Sequence, residues 1–199
     1  EYTIADGLPG GNVKAVEADL SGNIWVGTSN GLAKFDGTTF TTISGLSNLF
    51  VKAITCDPSG NIWVGTLSGL NKYNGTGFQQ YSLTPSNNIT CLTSMPNGDI
   101  WVGTTNGLKH FNGTSFTNFT TANGLISNSI LSIDHDLSGN IWIGTTTGLS
   151  VYNGTTFTNY TTTNGLPANT IRNTFCDHSG VVWLATDNGL VKCYGGSFT

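Results

Sequence analysis

The chain has 199 residues, enough for one domain or one toroid of small blades with a substantial buried core. Charged residues are only 9% of it, and seven Lys and Arg against eleven Asp and Glu leave a net charge of −4, with no basic run that could neutralise a series of phosphates. Nucleic acid is therefore not an expected partner, and no apolar stretch approaches the roughly 20 residues of a membrane span, so no membrane insertion of this segment is expected either.

Glu1 opens directly into repeat sequence, with neither a charged leader nor an apolar signal segment. The five tryptophans Trp25, Trp63, Trp101, Trp142 and Trp183 follow at intervals of 38, 38, 41 and 41 residues. A Gly-Leu pair stands six and seven positions after each one (Gly31-Leu32, Gly69-Leu70, Gly107-Leu108, Gly148-Leu149, Gly189-Leu190), and a phenylalanine stands fifteen after it (Phe40, Phe78, Phe116, Phe157, Phe198).

In the fourth repeat the pattern predicts strand A over 130–136, strand B over 141–145, strand C over 149–152 and strand D over 157–161, with turns at 137–140 and 153–154. Strand B is apolar at successive positions (Ile24-Trp25-Val26, Ile62-Trp63-Val64), which suits a sheet covered on both faces by its neighbours. Four strands in about 40 residues is the signature of a propeller blade, with strand A nearest the axis. The expected fold is all-β: a five-bladed β-propeller with four antiparallel strands per blade, one domain over residues 1–199.

Phe198-Thr199 followed by Glu1 to Pro9 reproduces the segment from Phe157 to Pro167 without a gap. This predicts a ring closed by N- and C-terminal segments that share the last blade, hiding its edges. An excerpt from a longer array would cut the repeat in the same way, making five blades a minimum. The last blade drifts, with Ala185 in place of glycine and Cys193-Tyr194 in place of an aromatic followed by Asp or Asn.

The segments Gly139 to Thr145, Gly148-Leu149, Tyr152-Asn153-Gly154, Phe157 and Asn164-Gly165-Leu166-Pro167 closely resemble the two-component regulator propeller repeat, and all five copies carry the pattern. Such repeats commonly form periplasmic sensor regions of bacterial hybrid histidine kinases, many of which respond to polysaccharide breakdown products. The resemblance implies an extracytoplasmic (periplasmic or secreted) setting and ligand recognition.

Several motifs have simple structural explanations. Each tryptophan sits mid-strand among apolar neighbours, where packing between blades accounts for it. The Asp-x-Ser-Gly segments beginning at Asp19, Asp57, Asp136 and Asp177 lack further carboxylates at calcium-ligand spacing, so each Asp is expected to bond the amides of its own turn. Asp36-Gly37, Asn74-Gly75, Asn112-Gly113 and Asn153-Gly154 predict type I′ turns between strands C and D. Cys56, Cys91, Cys176 and Cys193 fit no zinc or redox spacing and are expected as buried thiols.

No nucleophile elbow, metal spacing or repeated carboxylate pair is present, and His110, His135 and His178 fall at three different repeat phases. No catalytic residue, cofactor or metal is expected. Eleven residues before each tryptophan the chain reads Lys14, Lys52, Thr90, Leu131 and Arg172, so three cations share one phase near the start of strand A, where an anionic group could be held at a channel mouth. Pairing with Glu17 or Asp134, or plain exposure, is the competing reading. Loops between strands B and C add Asn30, Asn106, Asp187 and Asn188, and D–A loops add Asn12, Asn88, Asn128 and Asn169, on the same face. The expected function is a non-catalytic ligand-binding or sensor propeller, for an oligosaccharide or other small ligand; the alternatives are a protein–protein scaffold and a propeller lyase or hydrolase.

Overall fold

The computed structural model describes residues 1–194 and 197–199. Blade 1 comprises β1 (Val13–Ala18), β2 (Ile24–Thr28), β3 (Gly31–Phe35) and β4 (Phe40–Ile43), and blade 2 comprises β5 (Val51–Cys56), β6 (Ile62–Thr66), β7 (Gly69–Tyr73) and β8 (Phe78–Tyr81). Blade 3 holds β9 (Ile89–Ser94), β10 (Ile100–Thr104), β11 (Gly107–Phe111) and β12 (Phe116–Phe119). Blade 4 holds β13 (Ile130–His135), β14 (Ile141–Thr145), β15 (Leu149–Tyr152) and β16 (Phe157–Tyr160), and blade 5 holds β17 (Ile171–Cys176), β18 (Val182–Thr186), β19 (Gly189–Tyr194) and β20 (Ser197–Phe198). Each blade is a four-stranded meander in sequence order, so the chain is all-β with the five blades of a β-propeller.

Contacts group the chain into two compact units, residues 1–100 and 101–199. In the first, Val51 and Ile54 of β5 pack with Trp25 and Leu32 of blade 1. In the second, Ile171, Val182 and Leu184 of blade 5 pack with Leu149, and Trp142 lies against that cluster. Every residue of β6 is buried, which is why strand B carries no polar alternation. Full burial of one such aliphatic side chain is worth about 1.5–3 kcal/mol.

A carboxylate fastens successive blades within each unit. Glu17 of β1 accepts from the Cys56 amide at 3.1 Å, and Asp134 of β13 accepts from the Cys176 amide at 2.8 Å. The cysteines differ from expectation, since Cys193 is buried while Cys56, Cys91 and Cys176 are half-buried. The Cys56 and Cys176 thiols face the carbonyls of Asp57 and Asp177 at 3.5 and 3.6 Å, beside the exposed A–B turns.

The C–D turns are not type I′. Only glycine takes positive φ among the described residues, at 97° for Gly37 and 95° for Gly75, so the preceding Asp or Asn keeps negative φ. That side chain instead accepts from the amides two and three residues on, as Asp36 Oδ1 does from Thr38 and Thr39 at 2.8 Å each. Short 3-10 turns, unread in the sequence, occur at Ile4–Asp6, Thr121–Asn123 and Thr162–Asn164. Each is a capping box in which Thr3, Thr120 or Thr161 exchanges hydrogen bonds with Asp6, Asn123 or Asn164, and a left-handed glycine follows.

Glu1, Tyr2 and Thr3 form no strand, and Tyr2 packs on Phe35 and Phe40 of blade 1 at 5.3 and 5.2 Å. Leu190 is 65% exposed where Leu32, Leu70, Leu108 and Leu149 are fully buried, and Val16 is 59% exposed where Ile54 and Ile133 are 7%.

Candidate functional site

All three cations singled out at the start of strand A stand at a β-bulge. In blade 1 Val13 pairs with Thr28 and Ala15 with Gly27, so Lys14 is the extra residue opposite no partner. Lys52 is extra between Val51 and Ala53, and Arg172 between Ile171 and Asn173. A bulged residue leaves the alternation of its strand and its side chain is re-aimed.

The bulges bring Lys14 and Lys52 to one aromatic ring. The Lys14 and Lys52 ammonium groups lie 5.8 and 6.0 Å from the centroid of Phe50, which immediately precedes β5. These are cation–π distances, and they gather two positive charges from consecutive blades around a half-buried apolar plate. Neither lysine is ion-paired with Glu17, whose carboxylate is turned to the Cys56 amide; burial pushes the Glu17 carboxyl upward, against that bond.

Phe50 was not among the residues singled out from the sequence. Its phase nonetheless marks it: thirteen residues before the tryptophan the other repeats have Asn12, Asn88, Ser129 and Thr170, so an aromatic replaces a polar loop residue.

Arg172 is differently disposed. Its Nε donates to Asp187 Oδ1 at 2.7 Å, both side chains being largely solvent-exposed. The bond to Arg172 holds the Asp187 carboxyl below the usual carboxylate range. Two expected site residues therefore neutralise one another.

The B–C loops are stitched internally. The amides of Asn30, Asn106 and Asn188 donate to the hydroxyls of Thr28, Thr104 and Thr186, which in turn donate to the carbonyls of Gly31, Gly107 and Gly189. Asn30 and Asn106 have exposed side chains, whereas the Asn188 amide reaches the Pro167 carbonyl at 3.3 Å. Asn128 and Asn169 of the D–A loops accept from the Thr121 and Thr162 amides and so brace the 3-10 turns. His110 stacks on Trp101 at 4.4 Å, a packing role. Among the described residues no three His, Cys, Asp or Glu side chains lie close enough to hold a metal ion.

The two-component regulator propeller family model matches residues 45–68 and 165–188, the stretches that carry Lys52 and Arg172. The chain carries two-component regulator propeller repeats. It is similar to the extracellular domain of the hybrid two component system BT3049 from B. thetaiotaomicron, with 27% identity and a TM-score of 0.80 over 89% of this chain and 27% of that one. The extracellular domain of BT4673 from the same organism is 26% identical, with a TM-score of 0.78, over 92% of this chain and 27% of that one. The chain thus spans about a quarter of the length of these extracellular domains. Virginiamycin B lyase from Staphylococcus aureus shares the fold at 14% identity and a TM-score of 0.79, over 94% of this chain and 69% of the lyase. No curated protein matches the sequence.

Proposed function

We propose that this chain is a non-catalytic, ligand-binding part of an extracytoplasmic sensor, and that it holds an anionic oligosaccharide at the platform of Lys14, Phe50 and Lys52. The observation that carries this reading is the convergence of two bulge lysines on one aromatic ring. A sugar face stacks on an aromatic plate, while uronate or sulfate groups find two ammonium ions in the same place. The likeness to extracellular domains of hybrid two-component systems supports a sensing role, and no helix among the described residues is long and apolar enough to cross a membrane.

The test is a screen of uronic-acid and sulfated oligosaccharides against the purified chain, followed by calorimetry on the wild type, Phe50→Ala and the Lys14→Ala/Lys52→Ala double variant. Binding that both variants lose supports the site. Affinity unchanged in the double variant sinks it, and a blank across the whole screen moves the assignment to a protein-interaction scaffold.

A further inference from the structure

Strand C places one residue directly opposite the tryptophan of strand B: Lys34 opposite Trp25, Lys72 opposite Trp63, Val151 opposite Trp142 and Lys192 opposite Trp183. In blades 1 and 2 that residue supplies a cation to the indole. The Lys34 and Lys72 ammonium groups lie 5.8 and 5.1 Å from the ring centroids of Trp25 and Trp63, and in blade 3 His110, at the same phase, stacks on Trp101 at 4.4 Å. Lys72 also acts on the carboxylate bonded to its tryptophan: burial raises the Asp57 carboxyl, its hydrogen bonds lower it, and the charge of Lys72 adds to the lowering. The lysine thus answers both an indole face and a carboxylate.

Blade 4 keeps the indole and the carboxylate, Trp142 and Asp136, and has the uncharged Val151 in place of the lysine. A second position shrinks beside it. Ten residues after the tryptophan of the following blade, Tyr73 packs on Trp25 at 5.5 Å and Tyr152 on Trp101 at 5.7 Å, whereas blade 5 has Cys193 there. Two smaller side chains leave a cavity of about 300 Å³, lined among others by Asp136, Trp142, Val151, Tyr160, Val182 and Cys193. Trp142 is correspondingly half-buried, where Trp25, Trp63 and Trp101 are at most 5% exposed. Lys192 does not replace the missing cation, because strand alternation puts it on the other face of blade 5 from Val182 and Cys193.

The hydrogen bonding of Asp136 selects the kind of cation. Its Oδ1 accepts from the amides of Ser138 and Asn140 at 2.9 Å each, and its Oδ2 accepts from Asn140 Nδ2 at 2.8 Å and the Trp142 indole at 2.9 Å. These bonds use the roughly four lone-pair sites of a carboxylate, so its charge remains but no acceptor is left for an N–H. An alkylated ammonium needs none and is held by an aromatic face and a negative field alone. We propose that the cavity between blades 4 and 5 binds a quaternary ammonium ion of choline size, held against Trp142 beside the Asp136 carboxylate. Its volume stands at the lower end of the range for small-ligand sites, about 300–1,000 Å³. The site lies wholly within residues 101–199 and is independent of the ligand reading above.

Titration of choline into the 199-residue chain with isotope-labelled tryptophan, followed by the indole N–H signals in NMR, tests it. Of the five indoles, the one whose signal is missing in Trp142→Phe is expected to shift and saturate. The neutral analogue with carbon in place of nitrogen is expected to bind about tenfold more weakly, the loss of one desolvated cation–π contact. Val151→Lys restores the residue of blades 1 and 2 and is expected to abolish the shift, whereas Val151→Ala, which only widens the cavity, keeps it. Circular dichroism melts establish that both variants are folded, and the two probes on the wild type decide the matter even where Val151→Lys is not. The proposal is overturned by the absence of a saturable shift, by a shift confined to another indole, by a neutral analogue that binds equally well, or by choline binding unchanged in folded Val151→Lys.

Discussion

The indole N–H of Trp63 donates to Oδ2 of Asp57 at 2.9 Å, while Oδ1 of the same carboxylate accepts from the amides of Ser59 and Asn61 at 3.0 and 2.9 Å. One buried side chain thus fixes the A–B turn and anchors the largest core residue of its blade. Asp19 with Trp25, Asp136 with Trp142 and Asp177 with Trp183 repeat the arrangement at 2.9–3.0 Å. Blade 3, with Met95 at this position, keeps the backbone turn without the carboxylate. We expect Asp57→Asn to cost about 1.5–3 kcal/mol in urea unfolding at neutral pH, the range for hydrogen bonds to a charged group. Asp57→Ala is expected to cost more, because it strands the buried indole N–H. A loss below 0.5 kcal/mol for both variants would show that the turn does not need the carboxylate.

These carboxylates also set the response to acid. Burial pushes the Asp57 carboxyl up, but the hydrogen bonds from Trp63 and Asn61 outweigh it and hold the group below its usual range; Asp19 and Asp136 balance the same way. A folded-state pKa below the unfolded one gives stability that is fully present above the unfolded value, about 3.9, and is lost as pH falls through the folded value. The melting temperature of the wild type is therefore expected to fall steeply below about pH 4. In Asp57→Asn the drop should be shallower, and identical acid profiles would contradict this account.

The repeat period, the strand order and the packing role of the tryptophans were legible in the sequence because they follow from spacing and from the run of apolar residues in strand B. The Asp–Trp bond was half legible: the turn amides were foreseen as partners of Asp57, but the indole six residues on was not, since its direction depends on how the strand leaves the turn. The bulges at Lys14, Lys52 and Arg172 could not be read, because a bulge is defined by the partner strand. Phe50 was legible only as an aromatic at a polar phase. The exposure of Leu190 and Val16 was not legible, because periodicity describes a repeat and not its surroundings.

Glu17 behaves oppositely to the turn aspartates. Burial raises its carboxyl pKa against the bond from the Cys56 amide, so ionising it above its usual pKa costs stability. Gln keeps an oxygen for that amide without a charge. Glu17→Gln is therefore expected to melt at the same or a slightly higher temperature at pH 7, with the gain vanishing near pH 4, about the carboxyl's ordinary value. A lower melting temperature at pH 7 would mean that the charge itself holds blade 2.

Gly65 is expected to tolerate no side chain. The Cβ of Gly65→Ala would meet Ile89 at 2.5 Å, at a junction whose residues are buried, and overpacking of this kind costs about 1–3 kcal/mol. The double variant Gly65→Ala/Ile89→Ala should lose less stability than the sum of the two single losses, because removing the isoleucine branch relieves the collision. Chemical denaturation of the four proteins measures this coupling, and strict additivity would show that the two residues do not compete for space.

Arg172 and the two lysines share a repeat phase but differ in partner, and this separates their roles in binding. Asp187 cancels much of the guanidinium charge, and an exposed ion pair contributes only about 0–1 kcal/mol to folding, so Arg172→Ala should leave both stability and affinity for an anionic oligosaccharide nearly unchanged. Lys14→Ala and Lys52→Ala should each weaken binding, and more so at low ionic strength, where a Debye length beyond about 10 Å leaves the charges unscreened. Asp187→Asn is the informative reversal, because it frees the Arg172 charge: if Arg172 lies within electrostatic reach of the ligand, affinity rises, with the gain abolished by added salt. Calorimetry at two salt concentrations on these four variants reads the outcome, and an Arg172→Ala loss larger than that of either lysine would move the centre of the site from Phe50 to blade 5.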